Sequence, residues 1–405
     1  MASAATTKRV PFTTTQKKTL FALSSAVGLR MLGLFLVLPV FTLYGLEFTH
    51  SHLLAGIAFG AYGLTNAFLQ IPLARLSDRI GRKKVLLLGM SVFALGSFVC
   101  AIPPWFPHAA QISILILGRL LQGAGVTVSV AFATVADHVQ PEKRSTAMAI
   151  LGIPIGVAFI IGVVGGPLLA GGLGISSLFW LTGILGFGTV ALLIAELPDL
   201  PPSGAGPTPL RELLGNINLL KLDGGGFLIN FFMATFFFYF PLIVHRHLGM
   251  GHYYEILLPM VILSAFTMFG FSRAADRGWS KGVLIVAYLI FIPSGLLLFA
   301  PGWFGLGAHP IAAVILAGAL FYIAFTGLEP VLPSSVSKSA PEIAYGSALG
   351  IYNSFQYFGT FAGAFVAGAL AHLASPTTEM AVWIVAALVG CLLMNALKLR
   401  PHARE

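Results

Sequence analysis

Charge is what this sequence has least of. Only 9% of its 405 residues are Asp, Glu, Lys or Arg, against roughly 25% in an ordinary soluble domain. With 57% hydrophobic residues and a mean hydropathy of +0.91, the chain cannot coat itself against water. That excludes a water-soluble globular fold and leaves an integral membrane protein. Cysteine is nearly absent too: Cys100 and Cys391 both fall inside apolar runs and give no basis for a disulfide framework or a metal centre. Also missing are a nucleophile–base grouping, an H-E-x-x-H pair and a P-loop, so neither an enzyme nor a nucleotide-driven pump is indicated, and no cofactor is called for.

What is present is a series of long apolar runs. A spanning helix needs about 20 mostly apolar residues. Twelve segments qualify: 20–45, 53–74, 85–103, 112–136, 146–171, 175–195, 225–244, 255–273, 282–300, 310–334, 345–371 and 379–398. The expected fold is therefore all-α and integral to the membrane, with twelve transmembrane helices arranged as two six-helix bundles. Residues 1–18 are polar and basic, and the run after them is too long for a signal-peptide core, so the first segment is expected to stay as a helix. A Pro- and Gly-rich break falls midway. It divides the chain into an N-terminal bundle (1–197), a cytoplasmic linker (198–223) and a C-terminal bundle (224–405).

The bases outnumber the acids, 23 to 14. Nearly all of the Lys and Arg fall in breaks on the side that holds the N-terminus. This asymmetry places both termini in the cytoplasm and accounts for the net charge of +9 without nucleic acid. A short repeat accompanies it. "RLSDR" after the second span recurs as "RAADR" after the eighth, with Asp78 and Asp276 separated by 198 residues. A parallel repeat of two six-helix halves is a known transporter architecture.

The stretch "ARLSDRIGRK" resembles the cytoplasmic signature of the major facilitator superfamily through Leu76, Asp78, Arg79, Gly81, Arg82 and Lys83, with Ala74 in place of the leading glycine. "RLLQGAG", from Arg119, resembles the family's fourth-span signature. "RMLGLFLVLPVFTLYG" and "YGLTNAFLQIP" are similar to bacterial YajR-type drug-exporter-like proteins. Those often carry a small soluble domain after the twelfth span; this sequence stops at Glu405, so a chain without that appendage is expected. The resemblance implies a secondary transporter of the bacterial inner membrane, working as a monomer by alternating access on a small-molecule substrate and protons. Efflux is the first expectation. A proton-coupled importer or facilitator, and a transport-dead sensor, are the alternatives.

Site expectations follow from the scarce ions. Arg30, Arg119 and Glu329 lie within predicted spans 1, 4 and 10, where a charge costs at least ~2.5–3.5 kcal/mol and normally faces a cavity or a partner. Spans 1, 4, 7 and 10 line the central path in the family. Glu329, the only carboxylate well inside a predicted span, is expected either to carry the coupling proton or to pair permanently with Arg30 or Arg119. In the family an Asp such as Asp78 latches the two bundles at the start of span 11; with Arg79 and Arg82 it is expected to be a conformational switch or a static solvated loop. Asp137, Glu142 and Arg144 are expected to form a cytoplasmic charge network. "GVVGGPLLAG" resembles the family's antiporter signature through Gly162, Gly166 and Pro167, with its distal glycine, Gly171, one place late. Asn230, Phe236 and Tyr239 in span 7, with Asn353 and Gln356 in span 11, are candidates for a central cavity, the aromatics equally explicable as packing. Eight histidines fall on predicted external ends, but without a carboxylate cluster they do not suggest a metal.

Overall fold

A computed structural model describes residues 12–199, 210–341, 344–373 and 375–398. Among the described residues there are fifteen α-helices. The first set is α1 (Thr14–Val37), α2 (Phe41–Glu47), α3 (His52–Ile80), α4 (Arg82–Ala101), α5 (His108–Ala124), α6 (Val128–His138), α7 (Pro141–Leu173) and α8 (Ile175–Glu196). The second is α9 (Leu210–Gly215), α10 (Ile217–Val244), α11 (Tyr254–Ala274), α12 (Ser280–Phe299), α13 (Pro310–Ser339), α14 (Tyr345–Leu373) and α15 (Pro376–Asn395). Ten stretches are long and apolar enough to cross a membrane, and one of these, Met250–Phe299, holds both α11 and α12. With the 29-residue α14 the crossings number twelve.

Two crossings are broken. Pro39 lacks the N–H a continuous helix would need, and the first crossing divides at 38–40 into α1 and α2. The fourth divides at 125–127 into α5 and α6. There a Cβ on Gly125 would meet Gly89 O and the Phe93 side chain, so the bare backbone lies directly against α4. The seventh crossing starts earlier than hydropathy suggests. Asn216 caps α10 through Oδ1, which accepts from the N–H of Asn218 and of Leu219, so the helix begins inside the expected linker and takes in Asp223.

Large apolar side chains such as Phe21, Phe68, Leu95, Ile153, Ile184, Phe266 and Leu392 are exposed, as lipid-facing surfaces require. Helices within each set pack mainly on one another, and the sets meet along α3 and α14. Gly56, Gly60 and Gly63, one or two turns apart on α3, let Ala364, Phe361 and Tyr357 of α14 approach to backbone contact. Such close approach replaces the hydrophobic driving force that lipid does not supply.

The basic residues mark one end of the molecule, and a pair of tryptophans marks the other. Trp105 and Trp303 are 72% and 71% exposed, each in a short turn after a crossing. They are 198 residues apart, the spacing that separates Asp78 from Asp276. At this far end one continuous core joins Val37, Phe41, Cys100 and Phe179 of the first set to Phe236, Phe321 and Trp383 of the second. At the basic end the first set has a separate core, built on Leu23, Val27, Leu86, Phe93, Val130 and Leu193. Among the described residues, that basic-end core contains no residue of the second set.

Candidate functional site

A polar layer separates those two cores. Arg30 on α1 and Arg119 on α5 are 1% and 8% exposed, and Tyr62 of α3 lies between them. Arg30 Nη2 donates to the Tyr62 hydroxyl at 2.9 Å. The Arg119 guanidinium lies 5.0 Å from the Tyr62 ring centroid and 4.8 Å from that of Phe41, while Arg30 lies 5.3 Å from that of Phe93. Arg119 Nη1 donates to Gln122 Oε1 at 2.7 Å and Nη2 to the Phe59 carbonyl at 3.3 Å. Gln122 in turn donates to Ser97 Oγ at 2.8 Å. Tyr357 of the second set closes over the layer, its ring edge-on to Tyr62 at 5.8 Å and its hydroxyl beside Arg30.

No described carboxylate pairs with either arginine. Each cation–π contact offsets about 0.5–2 kcal/mol, whereas burying an ion costs several. The layer therefore holds positive charge that its neighbours only partly answer. The expectation that Glu329 pairs with Arg30 or Arg119 is corrected: Glu329, on α13 of the second set, is exposed and in no described ion pair. It sits one turn beyond Phe325, which stacks on Phe159 of the first set with ring centroids 6.1 Å apart. This puts Glu329 on the basic side of that contact between the sets.

A second carboxylate escaped the sequence argument. Asp223 on α10 is 3% exposed and its Oδ1 has no hydrogen-bond partner. Tyr352 of α14 lies within electrostatic reach of both Asp223 and Glu329, and its own hydroxyl is unpartnered. A buried acid without an ion-pair partner among the described residues thus lies in the second set, and buried base in the first.

At the basic end Gly81 joins α3 to α4 with φ +103°, a conformation that disfavours any side chain. The turn places Arg82, 4% exposed, between carboxylates. Arg82 Nη2 lies 2.7 Å from Asp137 Oδ2 and pairs with Asp78 Oδ1, while Nε donates to Asp137 at 3.0 Å. These contacts tie α3, α4 and α6 together inside one set. Arg79 is exposed. The side chains of Glu142 and Arg144 lie outside the described residues, as do 342–343 before α14, where the expected latch would engage.

The α7 glycines divide by role. Gly162 and Gly166, with Pro167 buried beside them, lie against Phe35 and Leu36 of α1, whereas Gly171 meets Gly251 of the second set at the far end. The expectation of a cavity lined by Phe236 and Tyr239 is corrected. Phe236 is fully buried and stacks on Phe321 at 4.1 Å, and Tyr239 donates to Glu379 Oε1 at 2.8 Å. These rings fill the second set's interior because α10 is buried all round. Asn230 is half-buried and accepts from Thr360 at 3.4 Å, and Asn353 and Gln356 are half-buried on α14. Among the described residues no group of His, Cys, Asp or Glu could hold a metal ion.

Twelve crossings in two sets, with buried arginines between two apolar cores, define a polytopic membrane transporter. The family model for the Major Facilitator Superfamily matches residues 23–304. The chain is 31% identical over 362 residues to the inner membrane transport protein YajR of Escherichia coli (strain K12), covering 87% of this chain and 77% of that protein. It is 25% identical over 381 residues to the quinolone resistance protein NorA of Staphylococcus aureus (strain MSSA476), covering 89% and 92%. Among solved structures, a D-xylose–proton symporter superposes with a TM-score of 0.74 at 13% identity, covering 95% of this chain and 98% of that one. A bacterial homologue of the human lysosomal transporter Spinster, inward-facing and occupied, gives 0.70 at 14%, covering 96% and 95%. Both show the same fold. The chain belongs to the Major Facilitator Superfamily, and it is a transporter, not an enzyme.

Proposed function

We propose that this chain is a proton-coupled antiporter that exports a small, amphiphilic organic molecule across a bacterial inner membrane, with both termini in the cytoplasm. Residues 1–197 and 224–405 act as two halves joined by the 198–223 segment, and a single chain suffices. The observation that carries the proposal is the divided interior: the halves share one core near the far end, while the basic end of the first half keeps its own. Two bodies joined that way can rock about the polar layer and expose it to one side at a time. In this reading Glu329, exposed and in no ion pair among the described residues, takes and releases the coupling proton. The glycine face of α7 and the relatives named for membrane transport and quinolone resistance support the export direction.

The test is transport by the full chain in sealed vesicles, screened across dyes, quinolones and organic acids with and without an imposed pH gradient. Flux that follows the gradient, collapses when the gradient is dissipated, and loses that dependence in Glu329→Gln supports the proposal. Flux indifferent to pH in both proteins would overturn it.

A further inference from the structure

Buried polar atoms without hydrogen-bond partners are rare in folded proteins and call for an explanation. Here eight of the eleven described atoms in that condition lie in the first half: Arg30 Nε and Nη1, both amide atoms of Asn66, Gln70 Nε2, Arg119 Nε, Thr127 Oγ1 and Ser129 Oγ. Asn66 and Gln70 lie one and two turns from Tyr62 on the same face of α3. A Cβ on Gly123 would press on the Tyr62 carbonyl and on Thr65, which sets the broken fourth crossing beside that face. Thr127 and Ser129 flank the start of α6, and no side chain caps it. The first N–H groups of this helix have no intrahelical acceptor, and the positive end of its dipole lies at membrane depth.

Two arginines, a helix N-terminus, two amides and two hydroxyls are nearly all hydrogen-bond donors. Their common complement is an anion. The walls are aromatic: Phe41, Tyr62 and Phe93 lie against the guanidinium groups, and Tyr357 covers them from the other half. A planar carboxylate matches an arginine fork, and an aromatic body matches the rings. We infer that this layer is the substrate site and that it takes an organic anion, a carboxylate joined to an aromatic or apolar body. It is closed here, and it opens when α14 carrying Tyr357 parts from α3. The inference rests on the transport reading only for that access; binding at equilibrium needs no gradient, so a failure of proton coupling leaves it standing and a failure of binding leaves coupling standing.

The test is equilibrium binding to the full chain in lipid nanodiscs, using benzoate, benzamide and benzylammonium as probes of one ring with three charges, and chloride and inorganic phosphate as competitors. Benzoate is expected to bind at least about tenfold more tightly than either relative. Arg30→Gln and Arg119→Gln each weaken it by about tenfold or more, whereas Arg246→Gln, on the exposed far-end loop, leaves it unchanged. Arg30→Lys and Arg119→Lys, which keep the charge and lose the fork, weaken it less and decide the matter if a glutamine variant does not fold. Equal or tighter binding of benzamide or benzylammonium overturns the inference. So does benzoate binding that ignores both arginines, or the absence of binding by all three probes. Displacement of benzoate by chloride or phosphate at equal concentration overturns the organic part and leaves a small inorganic ion as the ligand.

Discussion

Gly171 of α7 and Gly251 of the second half touch backbone to backbone at the far end. A Cβ on Gly171 would lie 2.7 Å from Gly251 N and 2.8 Å from its Cα. No side chain fits between two backbones at that distance, so the contact closes the two halves on one another at the far end. Gly171→Leu should oppose closure by about 1–3 kcal/mol, the usual cost of overpacking. Spin labels at His108 and His309, in a background lacking both cysteines, should report a longer distance across the far end than in the parent. An unchanged distance would show that the contact does not govern closure.

Gly165 and Gly166 are neighbours with opposite surroundings. A Cβ on Gly166 would collide with the Leu36 backbone of α1, while one on Gly165 meets nothing within 4 Å. Gly166→Ala should lower the melting temperature, by the equivalent of about 1–3 kcal/mol. Gly165→Ala should leave it unchanged or raise it, since alanine favours a helix over glycine by up to about 1 kcal/mol. Thermal unfolding of both purified variants checks the pair, and equal losses would refute the packing assignment.

Arg82 holds two carboxylates, and each carboxylate is partly open to solvent, with Asp78 at 38% and Asp137 at 21% side-chain exposure. Removing the shared cation takes an ion-pair partner from both acids at once, whereas removing one acid leaves the other pair in place. Arg82→Ala should therefore destabilise more than Asp78→Asn, by a margin of about 1 kcal/mol or more. Asp78→Asn should slow turnover with little change in substrate affinity. A fall in affinity with unaltered turnover would place Asp78 in binding instead of in movement.

Glu329 gives the pH prediction. If its carboxyl carries the coupling proton, Glu329→Gln should flatten the dependence of flux on pH across the neutral range while still exchanging substrate down its own gradient. A pH profile identical to the parent would remove Glu329 from coupling and direct attention to Asp223, the other acid beside Tyr352.

The twelve crossings were legible because lipid demands long unbroken hydropathy, and "ARLSDRIGRK" was legible because Gly81 and Arg82 carry the turn and its ion pairs. Asp223 was not. It stands at the edge of a Pro- and Gly-rich break, followed by Gly224, Gly225 and Gly226, and only the Asn216 cap shows that the helix has already begun. The faces of Phe236 and Tyr239 were illegible for another reason. A helix apolar all round carries no stripe to say which side meets a partner and which a passage. That Arg30 and Arg119 have no ion-pair partner among the described residues could not be read either, because pairing is settled by the packing of distant crossings. The Gly123–Gly125 pair at the fourth break was a signal available in the sequence.

That break has an evolutionary consequence. If the layer takes an anion, the interruption at 125–127 makes part of its hook main chain, which every residue type except proline supplies alike. Surrounding rings and amides can drift, and with them the shapes that fit, without loss of the anchor itself. A lineage built this way can change its cargo by small steps and keep its grip throughout.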